Sequence, residues 1–364
     1  MTADLLIVGS GLIGTSIGLA LQGAADVLLT DLDDTAVAVA VSRGAGRPWD
    51  GVEQAAHVVL AVPPRDVAPT FYRLHILGIA STWSHVASAQ TAVQVEVEAC
   101  GADFRQLCGS HPMAGRERTG PEAAAADLFT GRPWALCPSP ATSQAAVAAT
   151  RRLAQLCGAE PLVLTAQEHD VAVALVSHLP QLAASAVAAT LLARADGAGT
   201  AVRMAGPGLQ DTTRIAASDP TLWVDVLSQN AAAVAPLVRA LAEELGRAAD
   251  SLDRLAAGSA ADVLPAADAL RDLLRRGNDG RRLVPLKRGE HDLDFAVVAV
   301  AVPDHPGQLA GVLVSAAEAG VNVEDVRVEH LAGRPRGVIE LLVQASTQAQ
   351  ARTALSAAGW EVMG

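Results

Sequence analysis

The sequence predicts an α/β protein in three parts: a doubly wound parallel sheet first, an all-helical middle, and a small βαββαβ unit last. Three observations predict it. An apolar run meets a glycine-rich turn and then a helical stretch within residues 4–22. Alanine- and leucine-rich segments with helical spacing and few strand signals fill residues 165–275. Strand-like alternation then returns from Phe295 onward.

Composition sets the frame. With 364 residues, 51% of them apolar, the chain is long enough for two or three domains with separate cores. A net charge of -12 argues against a nucleic-acid partner bound through a basic field. The four cysteines, Cys100, Cys108, Cys137 and Cys157, lack metal-ligand spacing. Packing is their expected role, and no metal site is expected. No basic region precedes the first apolar run, so a signal peptide is not expected and the location reads as cytoplasmic. Residues 171–193 are apolar enough to suggest a membrane helix, but His178, Pro180, Gln181 and two serines interrupt them. A buried helix of a soluble protein, with no membrane partner, is the reading.

In chain order, Asp4-Leu5-Leu6-Ile7-Val8 reads as a buried parallel strand, followed by Gly9-Ser10-Gly11-Leu12-Ile13-Gly14 and a helix to Gln22. In this context the glycines permit a tight turn and close backbone approach. The N–H groups around Gly9, Gly11, Leu12, Ile13 and Gly14 can receive a pyrophosphate. A second strand, Val27-Leu28-Leu29-Thr30, ends in Asp31. That carboxylate, about twenty residues past the glycines, suits the ribose hydroxyls and repels a 2′-phosphate, so NAD is expected over NADP. The strand His57-Val58-Val59-Leu60-Ala61-Val62 ends in Pro63-Pro64, and Val62 and Pro63 face the cofactor crevice. Residues 1–160 thus form a Rossmann-like dinucleotide-binding domain.

Residues 161–280 form the helical domain. Its informative stretches are Glu168-His169-Asp170, Ser177-His178-Leu179-Pro180-Gln181 and Asp211-Thr212-Thr213-Arg214, with Ser218-Asp219-Pro220 as a helix start. The charged, glycine-bearing run from Arg276 reads as a linker that occupies residues 281–294. Residues 295–364 form the last unit, with a strand over 295–302 and a turn from Asp304 into a helix.

Within the first domain, GSHPMAGRERTG at 109–120 sets a His-Pro pair after an apolar run, then a charged, glycine-flanked loop. This loop, the glycine fingerprint at 9–14, SHLPQ at 177–181, DTTRIAASDP at 211–220 with Trp223, and DHPGQLAGVL and AGVNVEDV near the end occur in one order across essentially the whole chain. Together they resemble the prephenate dehydrogenase family with a C-terminal ACT domain.

The resemblance implies NAD-dependent oxidative decarboxylation: hydride leaves the ring carbon bearing the hydroxyl, the hydroxyl proton is lost, and carbon dioxide departs as the ring aromatises. His111 is the expected proton acceptor, since imidazole titrates near neutrality. Ser88 matches the serine that bonds the substrate hydroxyl; a helix N-cap role is also open, and Ser84 is a competing alignment. Arg214 matches the arginine that grips a substrate carboxylate with its planar fork. His178 and Gln181 are expected to face the same cleft, though an N-cap and core contact remains open for them, and Glu117 to gate it. In the last unit, His305, Gly307 and Asn322 match an amino-acid-binding edge, implying an aromatic amino-acid effector. A purely dimerising module is the alternative there. The helical domain implies a homodimer.

Three departures stand out against the family pattern: His85 for an aspartate, Gln90 for a lysine, and Gln181 for a second histidine. The last leaves prephenate and arogenate both open as substrate. Dehydrogenases of the β-hydroxyacid type use a lysine on the helical domain, which this chain lacks. A non-catalytic sensor of NAD and an aromatic amino acid is the reading from another class; Ser88, His111 and Arg214 argue against it.

Overall fold

In the computed structural model, described for residues 2–116, 118–193, 199–200, 202–284, 295–330 and 335–363, the chain falls into two compact units, Met1–Arg247 and Ala248–Gly364.

The first unit is built on an eight-stranded sheet: β1 (Ala3–Val8), β2 (Val27–Thr30), β3 (Arg47–Pro48), β4 (Ala55–Leu60), β5 (Thr82–His85), β6 (Leu107–Pro112), β7 (Pro133–Cys137) and β8 (Glu160–Val163). Their order is β3-β2-β1-β4-β5-β6-β7-β8. In β1 only Asp4 is exposed, as a strand covered by helices on both faces requires. The order reverses between β1 and β4, which opens the crevice at their carboxyl ends. The doubly wound sheet is mixed at one edge: β7 pairs antiparallel with β6, and β8 follows β7 in parallel. Strand β8 also runs across the expected domain boundary at 160.

Two apolar clusters flank the sheet. One holds Phe71, Trp83 and Val58; the other holds Ile17, Phe129 and Trp134. Phe71 meets Trp83 edge-on, with ring centroids 5.3 Å apart. Each such fully buried side chain stabilises the fold by about 1.5–3 kcal/mol.

The apolar stretch at 171–193 differs from its reading as one buried helix. It comprises the end of helix Ala166–Val173, a π-helical turn Ala174–His178 and helix Leu179–Ala193. Pro180 has no N–H to donate, and the widened turn precedes it directly. Only 28% of the most apolar window is buried. Val171, Leu175, Val176, Val187 and Leu192 are exposed. Among the described residues this is the one helical stretch long and apolar enough to cross a membrane by length and composition. Helix Pro220–Gln229 starts as expected, with the Asp219 carboxylate accepting from Thr221 N–H and proline in the first turn.

The run from Arg276 to Arg282 is helix, the end of Ala260–Arg282, not linker. Pairs at helical spacing, Arg276 with Asp272 at 2.9 Å and Arg282 with Asp279 at 3.0 Å, support it despite two glycines. Residues 285–294 lie outside the described part.

In the second unit, β9 (Phe295–Pro303), helix Gln308–Glu318, β10 (Val323–His330), β11 (Arg336–Gln344), helix Gln348–Ala357 and β12 (Glu361–Val362) follow the expected βαββαβ order. The sheet is antiparallel, ordered β10-β11-β9-β12. Val298, Val300, Ile339, Leu341, Val312 and Leu355 fill its core.

Candidate active site

The glycine turn is shaped by close approach. Gly9 has φ +108°, and a Cβ there would meet the Ala61 carbonyl oxygen at 2.3 Å. A Cβ on Gly14 would lie 1.9 Å from the Gly9 carbonyl oxygen. Around Gly11, by contrast, the space is open. Helix Leu12–Ala20 starts there without a side-chain cap or an acidic first turn, so its first N–H groups suit a phosphate. Leu12 and Ile13 form that first turn. Asp31, at the end of β2, accepts from Ser10 N–H at 2.5 Å and from Asp33 N–H at 3.0 Å, tying the glycine turn to the second strand. Half-buried Val62 and exposed Pro63 follow β4 at the same sheet edge. This turn fits a dinucleotide.

His111 lies near the end of β6, which pairs in parallel with β5 and so presents it at the same carboxyl edge. The expected loop at 109–120 begins only after Pro112, since residues 107–112 are strand. His111 Nδ1 is 2.9 Å from His169 Nε2, and His169 Nδ1 is 2.8 Å from Asp170 Oδ1. A carboxylate can only accept, so His169 donates from Nδ1, and with a single ring N–H it accepts at Nε2. His111 then donates from Nδ1, which leaves its Nε2 as the lone pair. Burial, with the nearby His169 and His178, pushes the His111 pKa down to about 3. Near neutral pH its imidazole is uncharged and presents a lone pair, but the expectation that it titrates near neutrality needs correction, because burial makes it a weaker base than a free imidazole.

Asp170 is held in turn. Burial raises its pKa, but hydrogen bonds from His169, Thr91 and Gln90 outweigh that and leave it below the ordinary carboxylate range. Its oxygens receive Gln90 N–H at 2.9 Å and Thr91 N–H at 2.8 Å, donors at the N-terminus of helix Thr91–Ala99. Asn230 donates to the Asp170 carbonyl at 2.8 Å and lies 3.2 Å from His178 Nδ1. The His178 ring meets Trp223 edge-on at 6.0 Å.

The other expected residues fall as follows. Ser88 is half-buried in the loop between β5 and helix Thr91–Ala99. That helix takes Gln90 as its N-cap residue, so Ser88 is not the cap. Ser84 is fully buried inside β5, with its hydroxyl 2.9 Å from His57 Nε2. His178 and Gln181 are buried, one helical turn apart. Arg214 is exposed and begins the turn Arg214–Ala217, which packs on helix Leu179–Ala193. Glu117 lies outside the described residues. In the second unit, His305 is exposed, Gly307 has φ +92° at the start of helix Gln308–Glu318, and the exposed Asn322 amide donates to Glu324 at 2.6 Å. Among the described residues no group of three or more His, Cys, Asp or Glu could hold a metal.

Sequence reasoning singled out Glu168-His169-Asp170 without giving it a role, and passed over Asn230. The available signal was Thr165 followed by Glu168, a capping box that fixes the helix carrying His169 and Asp170.

A glycine turn at a sheet switch point, with an uncharged, relayed histidine at the same edge, defines a dinucleotide-dependent dehydrogenase. Comparison narrows the class. Residues 17–163 match the nucleotide-binding domain of prephenate dehydrogenase, and residues 165–264 match its dimerization domain. A probable prephenate dehydrogenase of Streptomyces niveus is 36% identical over 342 residues, 93% of each chain. The prephenate dehydrogenase of Bacillus subtilis is 25% identical over 94% of this chain and 93% of its own. The chain belongs to the prephenate dehydrogenase family. Among solved structures, a putative prephenate dehydrogenase of Corynebacterium glutamicum is similar at TM-score 0.61 and 26% identity, over 76% of this chain and 89% of that one. Synechocystis arogenate dehydrogenase shares the fold at TM-score 0.62 and 23% identity, over 77% of this chain and all of that one.

Proposed function

We propose that the chain catalyses the NAD-dependent oxidative decarboxylation of prephenate to 4-hydroxyphenylpyruvate, in tyrosine biosynthesis. The observation that carries this is the chain His111, His169, Asp170, which leaves His111 Nε2 as a lone pair at the sheet edge shared with the glycine turn. NAD, bound on the turn at Gly9–Gly14 with its ribose at Asp31, supplies the hydride acceptor.

His111 takes the hydroxyl proton as hydride leaves the carbon that bears the hydroxyl; the ring carboxylate departs as carbon dioxide, its bonding electrons complete the aromatic ring, and the ring oxygen takes the proton back from His111 to become the phenol. The positive charge gained by the His111 ring is shared through His169 toward the Asp170 carboxylate. Ser88 orients the substrate hydroxyl, its accessible loop position favouring it over the sheet-buried Ser84. Arg214 grips a substrate carboxylate, and His178 and Gln181 line the substrate side. Aromatisation supplies the driving force, so orientation and proton acceptance are what the protein adds. Arogenate is the second reading: Gln181 is buried one turn from His178 and offers an amide where a histidine would titrate.

For the second unit we infer an ACT-like regulatory role, with an aromatic amino acid bound near His305, Gly307 and Asn322. The antiparallel βαββαβ arrangement and the exposed turn at Gly307 support it. The exposed apolar residues from Val171 to Leu192, inside the segment matching a dimerization domain, support a homodimer. The chain acts in the cytoplasm as a small-molecule enzyme.

Steady-state assays with prephenate and arogenate, each with NAD and NADP, test the reading. His111→Asn keeps NAD binding while kcat falls by about two to four decades. Wild-type turnover in that variant removes His111 from the reaction, and absence of turnover with either substrate leaves the sensor reading.

A further inference from the structure

Gln90 is buried at 1% exposure and touches three separate pieces of the site. Its Nε2 donates to the carbonyl oxygen of Ala87 at 2.7 Å and to that of Ser110 at 3.1 Å. Each carbonyl belongs to the peptide group leading into a site residue: Ala87 into Ser88, and Ser110 into His111. Its backbone N–H donates at 2.9 Å to the Asp170 oxygen that also receives His169. The Ser110 hydroxyl, donating to the His85 carbonyl at 2.7 Å, fastens the same two strands a second time. Gly109 makes the room, because a Cβ there would lie 2.6 Å from Gln90 Oε1.

We propose that Gln90 is a positioning residue that sets the Ser88 hydroxyl relative to the His111 imidazole, its one carboxamide holding the two peptide groups that carry them. A carboxamide is planar, and its two hydrogens diverge at a fixed angle. Sliding the Ser88 loop along β6 therefore lengthens at least one of the two bonds. A hydroxyl offers one hydrogen, and a carboxylate would set oxygen against both carbonyls. The proposal rests on the reading of His111 as proton acceptor and Ser88 as its partner.

The test is a double-mutant cycle on the full chain, with Gln90→Met, His111→Asn and the two combined. Gln90→Met removes both donors at similar volume and lowers kcat by about 10²-fold, the usual consequence of a misplacement near 1 Å. NAD affinity by calorimetry stays unchanged. The combined variant is no slower than His111→Asn alone, because placing an acceptor that is absent has no value. Multiplying effects, or a Gln90→Met enzyme within about threefold of wild type beside an impaired His111→Asn, overturn the proposal and leave the base assignment standing. Normal turnover in His111→Asn removes the base assignment, and this proposal with it. If Gln90→Met does not fold, Gln90→Lys carries the test, since an ammonium keeps donors for both carbonyls. Turnover within about tenfold of wild type supports the proposal, and a folded Lys variant slowed about 10²-fold overturns it.

Discussion

Replacing Asp170 by asparagine separates the carboxylate's charge from its shape. Its oxygens receive three N–H groups: Gln90 at 2.9 Å, Thr91 at 2.8 Å and His169 Nδ1 at 2.8 Å. An asparagine has one acceptor end. With the amide oxygen at the Oδ1 position, Gln90 and His169 keep their bonds and only Thr91 N–H faces an NH₂ group. The opposite orientation orphans Gln90 N–H and forces His169 into its other tautomer, so the first is favoured. Losing the Thr91 bond resembles losing a helix cap, about 0.5–2 kcal/mol of stability. The cost to turnover comes from charge. A hydrogen bond to an ionised group contributes about 1.5–3 kcal/mol, which here stabilises the protonated relay. At 1.4 kcal/mol per decade, kcat falls by about ten- to hundredfold. If the tautomer does switch, His111 carries its hydrogen on Nε2 and the loss approaches about 10⁴. The assay is stopped-flow absorbance of NADH with prephenate, beside NAD affinity and thermal melting. A variant with a lowered melting temperature but wild-type kcat would show that Asp170 only caps helix Thr91–Ala99.

Three further outcomes follow from the same structure. Burial lowers the pKa of His57 to about 4 and of His85 and His111 to about 3, whereas the unfolded chain titrates near 6.5; stability is therefore lost as pH falls below that value, by about 1.4 kcal/mol per unit for each histidine, until the folded values are reached. Urea unfolding at pH 7, 6 and 5 checks this, and an unfolding free energy constant over that range refutes it. Asp31 makes the wild type prefer NAD, and Asp31→Ser narrows the preference while slowing NAD turnover, because the Ser10 N–H loses its carboxylate; equal wild-type kcat/KM with NADP refutes the ribose assignment. Tyrosine binds the intact chain and raises KM or lowers kcat, with a coupling of about 1–3 kcal/mol, and Asn322→Ala weakens it; inhibition that is competitive with prephenate and indifferent to Asn322→Ala places tyrosine in the active site instead.

The strand, glycine turn and helix at 3–20 and the place of Asp31 at a strand end are legible because their signals are local: an apolar run, a fixed glycine spacing, a carboxylate after a second apolar run. What gives His111 a defined tautomer is not. His169 is fifty-eight residues away and reaches it only through the fold. No period or spacing encodes that meeting. The helix through Arg282 was misread because Gly277 and Gly280 signal a break locally, while the stabilising Asp-Arg pairs act at three- and four-residue spacing. The exposed apolar residues between Val171 and Leu192 escape the sequence for another reason: hydropathy cannot distinguish a buried apolar face from an exposed one.

The long-range link also changes how the site operates. His111 lies in the segment matching the nucleotide-binding domain, whereas His169, Asp170, His178 and Asn230 all lie in the segment matching the dimerization domain. His111 comes from one segment and the groups that fix its hydrogen come from the other. Arg65 and Asp225, paired at 2.8 Å, tie the same two segments a second time. This exposed pair contributes little alone, of order 0–1 kcal/mol, so alignment depends chiefly on the buried contacts of Asp170 with Gln90 and Thr91. The hydrogen bond that fixes the His111 tautomer therefore runs between the two segments, beside the buried contacts of Asp170 with Gln90 and Thr91.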